Sequence, residues 1–361
     1  MKKSWPSLVV LSVCILFVAW RLVRFDGDPA AIAQIGSRYA EPDPMGTEGY
    51  DGQFSLYIAL DPNPQSVAAH LDVPAYRYQR ILYPLVSRIL AFGKAEWIPW
   101  SLIIVNVFSQ VIATQFLAGF LKRRGIPVGY ALIYGLWVGL ISAVGLDLHE
   151  PLAYGLVVVA LFLRDKGRYV PMAILLGLGL FAKETTALFW LAVLISDLLG
   201  RKLDVGHAVL IAAGLLFGFW QLWLWQTFGE PGIGSGGNMA TPFEWIPFMG
   251  FIRIGFVNLK ALGLYFLIFG PTILFPTVYS LFQGVTSLKV DRANGDAWGS
   301  ILNSAAIVVL PFSTFREPLG LVRMFTGVVL AFLYLNADCG NRKNLNYALF
   351  WIAMLALLVN Q

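Results

Sequence analysis

The chain has 361 residues, 58% of them hydrophobic and 13% charged, with a mean hydropathy of +0.69. A soluble domain carries about a quarter charged residues, so this composition excludes an ordinary water-soluble enzyme and points to the membrane class. The net charge of +5 lies in short basic clusters between apolar runs, which reads as topology signals and membrane-lipid contacts, with no nucleic-acid surface.

Met1-Lys2-Lys3 precedes an apolar run over 7–23 that ends at Arg21 and Arg24. The run is long and no small-residue cleavage pattern follows, so an uncleaved first helix is expected. Further apolar runs cover 98–121, 127–146, 152–163, 170–182, 187–199, 208–228, 261–285, 301–312, 319–335 and 347–359. The expectation is an all-α polytopic membrane protein of about eleven transmembrane helices, forming one domain over 1–361. Twelve Trp and fourteen Tyr suit interfacial aromatic belts. Cys14 and Cys339 lie in or beside spans without metal-ligand spacing, which argues against a disulfide or zinc site.

Basic clusters at Lys2-Lys3, Lys122-Arg123-Arg124, Arg164/Lys166/Arg168, Arg201-Lys202, Lys289/Arg292 and Arg342-Lys343 are each separated by two proposed spans. The positive-inside rule places them together on the cytoplasmic face. The run over 81–92 is short and carries Arg88, so it is expected to be interfacial or re-entrant and not to cross. On the other face fall a long first outer loop over 25–96 and a second large loop over 229–258, a possible lid. The short connections around Asp147, Lys183 and Arg316 join them there.

Those connections hold most of the polar side chains. In Gly49-Tyr50-Asp51-Gly52-Gln53, Gly52 allows a tight turn that would push Asp51 towards a cavity as a proton acceptor; an ordinary turn aspartate capping its own backbone is the alternative. Arg77 and Arg80 suit bidentate phosphate binding, or snorkelling to headgroups. Asp147, His149 and Glu150 crowd one short connection, where they would hold a hydroxyl, cap a helix before Pro151, or, with Asp51, offer oxygens to Mg²⁺ or Mn²⁺. Lys183-Glu184 joins two apolar runs so tightly that both charges need a cavity or each other. Arg316-Glu317-Pro318 begins a late span, and Arg323 lies about one turn inside it in need of an anionic partner. The glycines over 232–237 follow no strand and precede no Walker lysine, which makes them a linker.

With these segments in order, the chain resembles the GT-C superfamily of integral-membrane glycosyltransferases, especially bacterial mannosyltransferase-like members. The resemblance rests on the acidic first outer loop at Gly49–Gln53, on Tyr76-Arg77-Tyr78-Gln79-Arg80-Ile81-Leu82-Tyr83-Pro84, on Asp147-Leu148-His149-Glu150, and on Ala182-Lys183-Glu184-Thr185. Many members carry an acidic pair in that loop, whereas here Asp51 stands alone with Glu48 three positions earlier. The resemblance implies an inverting transferase using a polyprenyl-phosphate sugar at the outer face of a bacterial inner membrane, with a lipid, glycan or protein acceptor. Asp51 would be the base, Arg323 and Lys183 with Arg77 or Arg80 would stabilise the departing phosphate, Glu184, His149 and Glu150 would position hydroxyls, and Gln53 and Arg316 would bind substrate. Tyr50 and Tyr78 would stack on a sugar face or, equally, belong to the interfacial belt. A transporter or flippase of lipid-linked saccharides, or a non-catalytic subunit of an envelope-assembly complex, are the competing readings.

Overall fold

The computed structural model describes residues 4–41, 43–201 and 203–359. The Lys2-Lys3 cluster and Lys202 therefore lie outside the described residues. All regular structure among the described residues is helical. Five helical segments among the described residues are long and apolar enough to cross a membrane: Trp5–Arg24, Ala95–Arg123, Val205–Phe228, Leu259–Val290 and Pro318–Asp338. The shorter apolar helices Glu150–Asp165, Tyr169–Ala182, Ala187–Leu199 and Gly295–Val308 pack among them.

Local chemistry starts and stops these helices. Proline occupies the first turn at Pro6, Pro99, Pro151 and Pro318, where its missing N–H would have had no helical partner. Asp204, Asn258 and Asn294 cap the next set by accepting from the backbone N–H of His207, Ala261 and Ala297.

The helix ending in Thr326–Asp338 is the axis of the molecule, with every residue from Thr326 to Ala337 buried. Helix Ile98–Arg123 packs on Trp5–Arg24 and on Glu150–Asp165, and Gly295–Val308 closes the far side against Thr326–Asp338. By contrast, Val205–Phe228 keeps most of its apolar surface outward, as a lipid-facing helix does.

Several expected spans are not continuous α-helices, among them 347–359, where Leu349–Leu358 is a 3₁₀ helix. The run over 127–146 breaks into Ala131–Gly135 and Val138–Val144. Gln110 Nε2 donates to the freed carbonyls of Tyr134 and Gly135, and the Trp137 indole donates to the Val322 carbonyl at 2.9 Å. A broken backbone is tolerated at that depth because protein groups satisfy it. Within Leu259–Val290, Gly270–Leu274 forms a π-turn at Pro271, whose freed geometry offers its carbonyl to the Tyr347 hydroxyl.

The segment over 25–96 folds into short helices, among them Gly52–Leu60, Pro74–Tyr78 and Leu82–Leu90. The nine residues of Leu82–Leu90 are too few to cross a bilayer, and Ile89, Leu90 and Phe92 are exposed at its end.

One helix shows how the charges are sorted. Glu150 opens Glu150–Asp165 inside the cavity described below, while Asp165 at the other end meets Arg123 and Arg124, both at 2.5 Å. Arg124 also reaches Asp338 at 2.9 Å, the last residue of the axial helix. Arg123 and Arg124 thus lie at the end of helix Glu150–Asp165 opposite the cavity.

Candidate functional site

A cavity of about 570 Å³ opens where the first loop covers the ends of these helices. Asp51 sits at its centre as the residue before helix Gly52–Leu60. The plain turn-cap alternative does not hold, because the Asp51 side chain makes no cap hydrogen bond. Its Oδ1 instead lies 3.0 Å from Arg77 Nη1, and its Oδ2 lies 3.3 Å from Arg323 Nη2.

The reason for glycine after Asp51 also differs from expectation. Gly52 begins a helix and needs no left-handed turn; a Cβ there would come 2.0 Å from the Leu146 carbonyl oxygen. Glycine lets the loop lie directly on the 146–148 connection, which sets the depth of Asp51.

Around Asp51 every deep charge has a counterpart. Arg77 forks onto Asp72 at 2.7 and 2.8 Å and lies over the Phe54 ring at 4.1 Å. Arg80 forks onto Glu184 at 2.7 and 2.5 Å, bonds the Tyr76 hydroxyl, and covers the Tyr76 ring at 4.3 Å. Lys183 Nζ meets Glu150 Oε1 at 3.1 Å, and the same oxygen lies 3.8 Å from Arg323. Tyr50 donates its hydroxyl to Glu317, and Arg323 lies over the Tyr50 ring at 5.3 Å. Planar guanidinium–carboxylate forks of this kind fix orientation as well as charge.

These pairings set the protonation states. Burial would raise the Asp51 carboxyl, but Arg77, Arg323, Arg80 and Lys183 outweigh it and hold the group ionised, below the usual carboxylate range. Burial likewise opposes ionisation of Glu184, yet Arg80 and Lys183 bring it down to about 2.

The cations lining the cavity are Arg77, Arg80, Lys183, Arg316 and Arg323; the carboxylates are Glu48, Asp51, Asp72, Glu150 and Glu317. Five against five makes a highly polar but charge-balanced lining, with Tyr39, Tyr50 and Tyr76 supplying ring faces. Such a lining fits a polyhydroxylated ligand better than a polyanion. Glu150 Oε2 and Arg323 Nε are buried without a hydrogen-bond partner, and buried polar atoms of this kind call for a ligand or a solvent molecule.

Of the residues singled out from the sequence, Tyr50, Asp51, Gln53, Arg77, Arg80, Glu150, Lys183, Arg316 and Arg323 line the cavity. Glu184 stands one layer behind, orienting Arg80. Gln53 is mainly a brace: its amide accepts from Gly36 N–H and donates to the Glu48 carbonyl.

Three expectations fail. His149 turns away from the cavity, with its Nε2 3.3 Å from Ser55 Oγ and its ring edge-on to Tyr83. Burial, then Arg80 and Lys183, keep that imidazole neutral. Tyr78 points down to the Pro62 carbonyl and packs on Phe228, so it offers no sugar platform. Asp147 is sealed at 0% exposure and does not line the cavity. Among the described residues no group of three His, Cys, Asp or Glu side chains is placed to hold a metal ion, so the suggested Mg²⁺ or Mn²⁺ ligand set is not assembled.

Asp72 and Tyr76 also line the cavity without having been singled out from the sequence, and so do residues 237–240, which belong to the 229–258 loop. Asp72 had a readable signal, an acid two residues before the helix-opening Pro74 and five before Arg77.

No family model, curated protein or solved structure matches this chain.

Proposed function

We propose that the chain is an integral-membrane inverting glycosyltransferase of GT-C type, moving a hexosyl or pentosyl group from a polyprenyl-phosphate donor to an acceptor hydroxyl. The observation that carries this reading is the Asp51 carboxylate held between Arg77 and Arg323 inside a charge-balanced, tyrosine-lined cavity. On this reading about eleven helices cross a bacterial inner membrane, the basic ends face the cytoplasm, and the cavity opens to the periplasm.

The chemistry follows from the pairings. The donor phosphate competes with Asp51 for Arg77 and Arg323, which frees the carboxylate as it fixes the leaving group. The acceptor hydroxyl attacks the anomeric carbon from the face opposite the phosphate and passes its proton to Asp51. The carbon–oxygen bond to the phosphate breaks, and the lipid phosphate leaves with the electron pair, stabilised by Arg323, Lys183 and Arg316. Glu150 and the Arg80–Glu184 fork hold sugar hydroxyls in place.

A flippase would need polar groups along a path through the bilayer. Here the charged side chains gather in the cavity and at the opposite basic ends, and between those ends the axial helix carries no charge from residue 327 to residue 335. The test is transfer by purified protein from a polyprenyl-phosphate sugar, with Asp51→Asn as the comparison. Normal transfer by that variant removes Asp51 from the reaction; counterflow of labelled donor without bond breakage replaces the enzyme reading with transport.

A further inference from the structure

The segment between spans Val205–Phe228 and Leu259–Val290 has a surface that the glycosyl-transfer reading does not use. Phe243, Trp245, Ile246, Phe256, Val257 and Leu259 are all exposed, Trp245 to 90% and Val257 to 79%. Aromatic and aliphatic side chains do not normally stand in water as one contiguous set.

The segment is held in shape. Thr241 and Ser313 exchange hydrogen bonds at 3.0 Å, Glu244 N–H donates to the Val309 carbonyl at 3.0 Å, and Phe248 N–H donates to Val308 at 2.8 Å. Phe248 itself adopts a left-handed backbone (φ 56), which a bulky residue takes only when its surroundings impose it. Helix Met249–Val257 then buries Gly250, Phe251 and Ile254 against the protein and presents Ile252, Phe256 and Val257 outward. It is therefore apolar on both faces, with its one cation, Arg253, neutralised by Glu244 at 2.5 Å. A surface helix in water would carry a polar outer face.

What covers the outer face follows from continuity. Asn258 ends this helix and caps the next one, so the exposed set runs directly into the lipid-facing surface of Leu259–Val290. Lys260 stands at that junction, where an amine meets anionic headgroups. We propose that residues 243–259 form a wedge seated in the headgroup–acyl boundary of the bilayer, with Trp245 and Phe256 as its anchors. Because the 237–240 stretch lines the cavity and Thr241 is tied to Ser313 on the cavity wall, the wedge fixes the cavity mouth at headgroup level. The placement needs no assumption about the reaction and stands or falls independently of it.

The experiment uses the full chain, with Cys14 and Cys339 replaced by Ala, in vesicles of phosphatidylethanolamine and phosphatidylglycerol. Nitroxide labels are attached singly to Trp245→Cys and Phe256→Cys, with Leu267→Cys as the bilayer reference and Glu230→Cys as the water reference. Collision with dissolved oxygen is expected to exceed collision with a water-soluble nickel chelate several-fold at 245 and 256, as at 267, with the reverse at 230. Nickel-dominated collision at both positions overturns the wedge, and so does protection from both reagents, which would mean a protein covers the segment. Where either variant fails to fold, labels at 243 or 257 carry the same requirement.

Discussion

Asp51 and Arg323 are 272 residues apart in the chain and meet at 3.3 Å inside one cavity. The first loop supplies the carboxylate and the axial helix supplies the guanidinium, so the contact closes the site across the whole length of the protein. Four predictions follow from that geometry and from the pairs around it.

Asp51→Asn keeps the shape of the side chain and removes its capacity to accept a proton. Under the transferase reading, kcat falls by about 10²–10⁴-fold, the usual contribution of a positioned general base. Steady-state kinetics with a polyprenyl-phosphate sugar measures it, and an unchanged KM would separate proton transfer from donor binding.

Arg323→Met removes a cation that two carboxylates share, yet leaves Asp51 with Arg77 and Glu150 with Lys183. The loss of stability should therefore stay below the ~3–5 kcal/mol seen when a buried charge is orphaned. Thermal unfolding in detergent reads this, while transfer should be lost outright because the leaving phosphate loses its partner.

Glu184→Gln orphans Arg80 on the forked side and is expected to destabilise more than Arg323→Met. The pH dependence has a definite sign. The folded-state pKa of Glu184 is depressed to about 2, so its contribution is present above the unfolded value near ~4.3 and is lost as pH falls towards 2. The melting temperature of the unmodified protein should drop across that acid window, with a shallower drop for Glu184→Gln.

Gly52→Ala adds a methyl group 2.0 Å from the Leu146 carbonyl oxygen, so the loop must lift. Overpacking of this kind costs about 1–3 kcal/mol or more where backbone must move. Asp51 would retreat from Arg323, and transfer should fall further than stability. Comparing the melting temperature with kcat/KM for this variant separates the two effects.

How much of this was legible beforehand differs from residue to residue. Hydropathy located the helices because burial in lipid or protein is recorded in each run of residues, and charge between runs marked where polar groups gather. It also picked out Lys183 and Arg323, since an ionisable group beside a span must find a partner, while Asp51 stood out by its turn in the first outer loop and by the resemblance. It could not say which partner. Arg80 with Glu184 is a through-space choice made by helix packing, and nothing local in the sequence encodes it, whereas Arg77 finds Asp72 only five residues away. The same packing turned His149 towards Ser55, sealed Asp147 away from the cavity, and broke the 127–146 run where Gln110 could satisfy the opened backbone. Apolar pattern is a property of neighbours in the chain, whereas a polar site is a property of neighbours in space. Only the folded arrangement of the helices decided the second.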